Sequence, residues 1–433
     1  MNKNLIPLAA AAYLAMTTAQ AADPGGVLIP PNYYRAPVPA ISRHPAASTL
    51  ETAAAPDAAA LNAHVARWRS FDVSAAVNGT QPASINDLGE ITGVYFDSNG
   101  NSHGFLRKAR GEIVTFDAPN VGYGTPAVSY GLGTIPTDIN NEGDIVGYYT
   151  DAAGAYHGFV RSARGKFRII DDPGSTSSPP ATIAQAINDW GVVVGFWFDS
   201  NLNFHGFVHQ VDGSFTTVDP PGDLFAECYH INDLGEVGGD WVDATTFTWH
   251  GMLLHPDGKL VTFDAPNGTS DTFGGLGQAL NLEGSFAGTY ADANYGVHGY
   301  VRYRNGKFAE FTAPGGGTSG FNGTWSASLN LLGTVVGYSA EANGSTDGYV
   351  RFADGTLILA NAPVAGQQST VAWAINDLNE FTGYWYDANG AQHGFVACGE
   401  NGSDHDRSDD QHLSDRRFDC GPNRNHRDTV DAK

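Results

Sequence analysis

The chain has 433 residues, of which 54 are glycine and 22 proline, and only 16% are charged. Residues that long helices tolerate badly recur throughout, which excludes a helical bundle, while a 42% hydrophobic share with 8 Trp, 18 Tyr and 23 Phe supplies a core of strand-forming type. Asp and Glu number 46 against 23 Lys and Arg, a formal net charge of −23, and this excludes nucleic acid or an anionic membrane as the main partner because both require a basic footprint.

At the N-terminus, Met1-Asn2-Lys3, an apolar run from Leu5 to Met16 and Ala19-Gln20-Ala21 have the pattern of a secretory signal peptide over residues 1–21. The expected location is secreted, periplasmic or cell-surface. The run is shorter than the roughly 20 residues of a membrane span and no second one follows, so no transmembrane segment is expected. Residues 22–67 are rich in Ala and Pro without periodicity and read as a flexible linker. Residues 400–433 alternate Asp, Arg, His and Asn with few apolar side chains and read as a disordered polar tail. Three cysteines exclude a disulfide scaffold, although Cys398 and Cys420 flank that tail and could pair after export.

Between these ends, over 68–399, the chain repeats itself. An Ile/Leu-Asn pair recurs with its asparagine at Asn86, Asn140, Asn188, Asn232, Asn281, Asn330 and Asn376, a spacing in the range of propeller blades. In the first unit, Ile85 to Gly89 reads as a turn, Ile91 to Phe96 as a strand, Asp97 to Gly100 as a hairpin turn, and His103 to Leu106 and Ile113 to Phe116 as two further strands. With the stretch before the turn, each unit has four strands. The seventh unit lacks its fourth, and Arg69 to Val73 matches the missing piece. The prediction is all-β: a seven-bladed β-propeller of four-stranded blades, closed by an N-terminal strand that completes the last blade.

The Asn-Asp-x-Gly turns, the Val-Gly-Tyr-like strands (Val146 to Tyr148, Val336 to Tyr338) and the His-Gly-Phe triplets (His103 to Phe105, His157 to Phe159, His205 to Phe207, His393 to Phe395) resemble the bacterial extracellular HAF-repeat proteins. The resemblance implies an exported β-repeat protein and no catalytic residue.

Candidate sites divide by chemistry. Asp97, Asn99 and Asn101 resemble half of an oxygen-rich calcium loop, but no downstream glutamate stands in register, so a plain hairpin turn is the preferred reading and calcium the secondary one; no other cofactor is expected. The recurrent histidines would be spread around a ring, too far apart to share a metal, and read as braces for the hairpins. Basic residues such as Arg107, Lys108, Arg161, Arg302 and Arg351 follow the His-Gly-Phe strand, which predicts one basic face and an opposite acidic one carrying the long connections. Tyr123, Phe225, Phe273, Phe321 and Trp325 in or beside those connections suit a neutral sugar or a peptide. The expected function is therefore a binding or interaction module for a glycan, peptide or cell-envelope partner at the acidic face. The alternative is a polysaccharide-active enzyme, a glycosidase or lyase. Its candidate groups are Asp138 and His230, polar where sibling units carry Ala or Ser, together with Glu227; one carboxyl would act as acid and the other as base or nucleophile.

Overall fold

A computed structural model describes residues 65–399, apart from 125–130, 269–270, 275–278, 317–318, 320–321, 365–366 and 368. The signal peptide, nearly all of the linker and the polar tail lie outside the described residues. Five antiparallel sheets have four strands each, and a sixth of eight strands is two such units joined through one parallel pair, Val297 with Gly323. The result is seven four-stranded blades, spanning 80–116, 134–170, 182–218, 223–263, 271–311, 323–359 and 369–399. The fourth strand of the last blade is Val65–Phe71, which pairs antiparallel with Gln392–Gly399, Trp68 opposite Ala397 and Phe71 opposite Gly394. The closing strand begins four residues before Arg69, where the sequence pattern starts it, and ends at Phe71.

The repeated asparagine closes the ring a second time. Each is buried, and its Nδ2 donates to the backbone carbonyl of the next one: Asn86 to Asn140, then onward to Asn188, Asn232, Asn281, Asn330 and Asn376, which donates back to Asn86. Its Oδ1 meanwhile accepts the N–H four residues on, from Glu90 in the first blade to Glu380 in the last, and so pins its own turn. A side chain that must donate at one end and accept at the other can be Asn but not Asp.

The remaining motif residues have equally local causes. In the Val-Gly-Tyr strand the glycine faces a bulge in the inner strand, and a Cβ on Gly147 or Gly337 would run into the carbonyl of Ile135 or Trp325. In His-Gly-Phe the glycine makes room for the outer strand; a Cβ on Gly104 would stand 2.5 Å from the ring of Phe116. The third residue fills the blade core, with Phe105, Phe159, Phe207, Tyr300, Tyr349 and Phe395 all fully buried.

Arg107, Arg161, Arg302 and Arg351 are not part of a basic face. They are buried between blades, each guanidinium 4.6–4.9 Å from the ring centre of an aromatic on the preceding blade's outer strand: Phe71, Phe116, Phe263 and Phe311. The sequence expectation placed them in solvent because a terminal arginine on a strand usually snorkels outward. Here the gap between outer strands accepts it. That face also carries the Asn-Asp turns and their carboxylates, and Lys108 and Arg304 are paired there with Glu90 and Glu236, each at 2.9 Å. It is mixed in charge.

Candidate functional site

The inner strands line a central channel whose two ends differ. At the end where the Asn-Asp turns gather, a cavity of about 130 Å³ is lined by the repeated Ile-Asn-Asp residues of all seven blades. A belt of side chains surrounds the asparagine ring. Asp87 Oδ1 accepts from Asp377 N, Asn141 Oδ1 from Asp87 N, Asp189 Oδ1 from Asn141 N, Asp233 Oδ1 from Asp189 N, and Asp377 Oδ1 from Leu331 N, all at 2.7–2.8 Å. The belt is interrupted where blades 5 and 6 carry Leu282 and Leu331. Burial raises the carboxyls of Asp233 and Asp377, and neighbouring aspartates push both further up.

At the opposite end, where the inner strands begin, aromatic side chains form a partly exposed arc. Phe225, on the inner strand Asp223–Ile231, stacks on Phe204 of the preceding blade with centroids 4.5 Å apart. Phe273, on Asp271–Gly274, lies 6.1 Å from Trp249 and 6.5 Å from Trp325, and Trp325, on Gly323–Leu329, lies 6.4 Å from Tyr338. Among the sequence candidates, Phe273 and Trp325 are therefore brought together, with Phe225 on the adjoining stretch. Tyr123 is exposed beside the first hairpin instead, where burial and the carboxylates of Asp117 and Asp97 raise its phenol. Phe321 lies outside the described residues. Trp249 and Phe204 were not singled out from sequence, because the first position of a third strand is also Tyr156 or Val297 in other blades and an aromatic there reads as ordinary packing.

The three catalytic candidates divide between blade interfaces. Asp138 is buried in blade 2; its Oδ1 accepts from Ser84 of blade 1 at 2.7 Å and from its own neighbour Ile139, while Oδ2 accepts from Ile187 N of blade 3 at 3.0 Å. Glu227, equally buried, stands opposite Asp240 across two strands of blade 4. His230 accepts from Ala279 N of blade 5 through Nδ1 at 3.3 Å, and Asp240 accepts from Gly274 N of the same blade at 3.3 Å. Asp138 thus joins blades 1 to 3, and the other two sit where blade 4 meets blade 5. Asp240 was missed; its signal was a carboxylate where Val94, Tyr148 and Phe196 stand in other blades.

The hairpin carboxylate of Asp97 is taken up by its own turn. Oδ1 accepts from the backbone of Asn99 and Asn101 at 2.8 and 2.9 Å, and Oδ2 faces the side-chain amides of both, so the two asparagines point N–H groups where a calcium loop needs oxygens. These donors hold the Asp97 carboxyl at about 2. Asp199 with Asn201 and Asn203 repeats the arrangement.

Each recurrent histidine stacks on an aromatic or tilts against one from strand 2, as Tyr95 does with His103 and Trp197 with His205. Its close partner is not the hairpin aspartate six residues before it, which stands at 3.3–3.8 Å in five blades. Nδ1 instead meets the residue just after the outer strand: Asp117, Asp171, Asp219, Asp264, Thr312 and, across the closure, Asp72, at 2.6–3.0 Å. The histidines therefore brace strand 3 to the end of strand 4. In blade 6, Asp347 and Asn361 make the same tie at 2.7 Å.

No family model matches the chain, and no curated protein sequence is similar to it. Solved structures show the fold. A puromycin hydrolase, crystallised as its S511A mutant, aligns with a TM-score of 0.50 at 13% identity over 73% of this chain; the chain spans about half, 52%, of that protein. The BP39L lectin from Burkholderia pseudomallei aligns with a TM-score of 0.50 at 9% identity, covering 76% of this chain and 97% of the lectin. These likenesses, like the strand order, define a β-propeller.

Proposed function

We propose that this protein is an exported propeller of the HAF-repeat kind that binds a glycan at the end of its channel opposite the asparagine ring. The observation that carries the reading is the partly exposed arc of Trp249, Phe273 and Trp325 across blades 4 to 6, backed by the buried Tyr338. Flat rings set side by side and left partly exposed offer apolar surface to the C–H faces of sugar rings, while neighbouring carboxylates, amides and backbone groups accept or donate to hydroxyls. A net charge of −23 makes a neutral or cationic glycan a better partner than a polyanionic one. The fold is shared by a lectin and a hydrolase and does not decide between binding and catalysis. Binding is favoured because Glu227 and Asp240, the facing carboxylates nearest the arc, are buried at 2% and 5% exposure, out of reach of a substrate.

A glycan array with the exported chain should return ligands, and Trp325→Ala and Phe273→Ala should each weaken the best of them at least tenfold, the effect of losing about 1.4 kcal/mol of stacking. Their melting temperatures report whether the fold is intact. Binding that survives both substitutions in folded protein, or an array without hits, would remove the arc as the site.

A further inference from the structure

The seven blades are internal controls for one another, and one junction differs. In blade 3 the brace of His205 and Asp219 is joined by a third ligand-type residue, Asp223, from the start of blade 4's inner strand. One nitrogen of His205 and one oxygen each of Asp219 and Asp223 lie within 4.8 Å of one another, and no other such trio occurs among the described residues. Elsewhere the corresponding third group is missing or engaged: at the next junction Asp271 Oδ1 accepts from Trp249 N. The short Pro220-Pro221-Gly222 connection, with Asp223 N bonded to Pro220 O, folds Asp223 back onto the brace.

We propose that His205, Asp219 and Asp223 form a binding site for a divalent transition-metal ion. Nδ1 of His205 already faces Asp219 Oδ2 at 3.0 Å, a separation two ligands on one ion commonly adopt. The ring is held in place by stacking on Trp197 with centroids 4.3 Å apart, and its Nε2 faces Asp199 at 3.8 Å. A carboxylate on the far nitrogen orients an imidazole for metal binding through the near one. Asp199 is itself fixed by the amides of Asn201 and Asn203.

A second observation lies behind Trp197. Asp172 stands where sibling blades have Ala118, Pro220, Ala265 and Ala313; it is 7% exposed and its Oδ2 has no hydrogen-bond partner. Three carboxylates face this imidazole and Asp172 adds a fourth acidic group within its electrostatic reach, an excess of negative charge that a bound dication would offset. One nitrogen and two carboxylate oxygens, with Asp219 exposed, fit Zn²⁺ or Mn²⁺ with water completing the shell, and fit Ca²⁺ poorly because of the nitrogen. Binding replaces the hydrogen bond between His205 and Asp219 with a bridge through the metal.

The test is calorimetric titration of the chelator-treated full chain with Zn²⁺, against Asp223→Asn and His157→Gln. Asp223→Asn removes the third ligand and keeps the repeated brace; His157→Gln removes a brace that has no third ligand. The expected result is one Zn²⁺ whose affinity falls at least tenfold in Asp223→Asn and is unchanged in His157→Gln. Zn²⁺ held by the histidines of the C-terminal segment would be equal in all three proteins, and that outcome overturns the proposal. So would an absence of binding, or Ca²⁺ displacing Zn²⁺ at equal concentration.

Discussion

The two ends of the channel are built on opposite rules. At the asparagine end, seven blades supply the same residue and every Asn makes the same pair of bonds, donating to the next blade and accepting from its own turn. At the aromatic end, equivalent positions on the inner strands read Gln81, Ile135, Ile183, Glu227, Phe273, Trp325 and Val371. A ring must satisfy the same geometric demand seven times, so a residue that recurs in every blade is serving the ring. Where the positions diverge the ring makes no demand, and chemistry directed at something else can be placed. Repetition and departure from it thus separate scaffold from site within one molecule.

The largest effect should come from opening the ring. Deleting residues 65–73 removes Trp68, stacked on Phe395 at 4.0 Å, Phe71 beneath the guanidinium of Arg107, and Asp72, the partner of His393. Loss of a well-packed aromatic costs on the order of 3–5 kcal/mol, and two are lost here along with a whole strand pairing. The truncated protein should melt at least ten degrees lower, or associate through the exposed edge of the last blade. Thermal denaturation with light scattering checks this, and a truncation that melts like the full chain and stays monomeric would contradict closure by strand Val65–Phe71.

A smaller effect is expected from one link of the asparagine ring. Asn188→Ala leaves the N–H of Val192 without its acceptor and takes one of two donors from the carbonyl of Asn232, which keeps the N–H of Gly235, at about 1–3 kcal/mol in all. Asn188→Asp keeps the acceptor but loses the donor and buries a charge, so it should be no better than Ala. Urea denaturation distinguishes these outcomes; an Asp variant as stable as the parent would mean that the donated bond is dispensable.

Much of the scaffold was legible because its causes are local and repeated. The unit length, four strands per blade and the closing strand can all be read from turn residues and a fragment out of order, and the seven blades and the pairing of Trp68 with Ala397 agree. The histidine's partner was misjudged because sequence distance was taken for proximity: the hairpin aspartate is six residues away, but the outer strand folds back to bring a residue fourteen positions on into closer contact. The interblade arginines were missed for a related reason, since nothing along one strand tells that the neighbouring blade offers an aromatic face. Cys398 is disulfide-bonded and Cys228 is free; Cys420, the chain's third cysteine, lies outside the described residues. For the candidate site, single aromatics could be picked out by type, but their assembly into an arc depends on which inner strands become neighbours at one end of the ring.

The smallest predicted effect separates structural need from electrostatic cost within the asparagine end itself. Asp377 accepts the N–H of Leu331 through Oδ1 at 2.7 Å and donates its own N–H to Asp87. Neither bond requires a charge, and blade 2 shows the neutral solution, since Asn141 accepts from Asp87 N in the same way. Burial raises the Asp377 carboxyl above its ordinary value, the bond from Leu331 opposes this, and Asp87 and Asp233 raise it further. A carboxyl whose folded pKa exceeds its unfolded one binds protons more readily in the native state, so stability falls as pH rises through the folded pKa. At neutral pH the ionised Asp377 therefore costs stability. Asp377→Asn should raise the unfolding free energy at pH 7 by up to about 1 kcal/mol, a figure kept small because the group is partly solvated. The gain should shrink as pH falls through the raised folded pKa and be largely gone below about 4, where the parent carboxyl is becoming protonated in both states. Paired denaturation curves at pH 7 and pH 3.5 measure the difference. If Asp377→Asn destabilises the protein at pH 7, or changes stability equally at both pH values, the belt needs its charge and the assignment of cost to like-charge crowding is wrong.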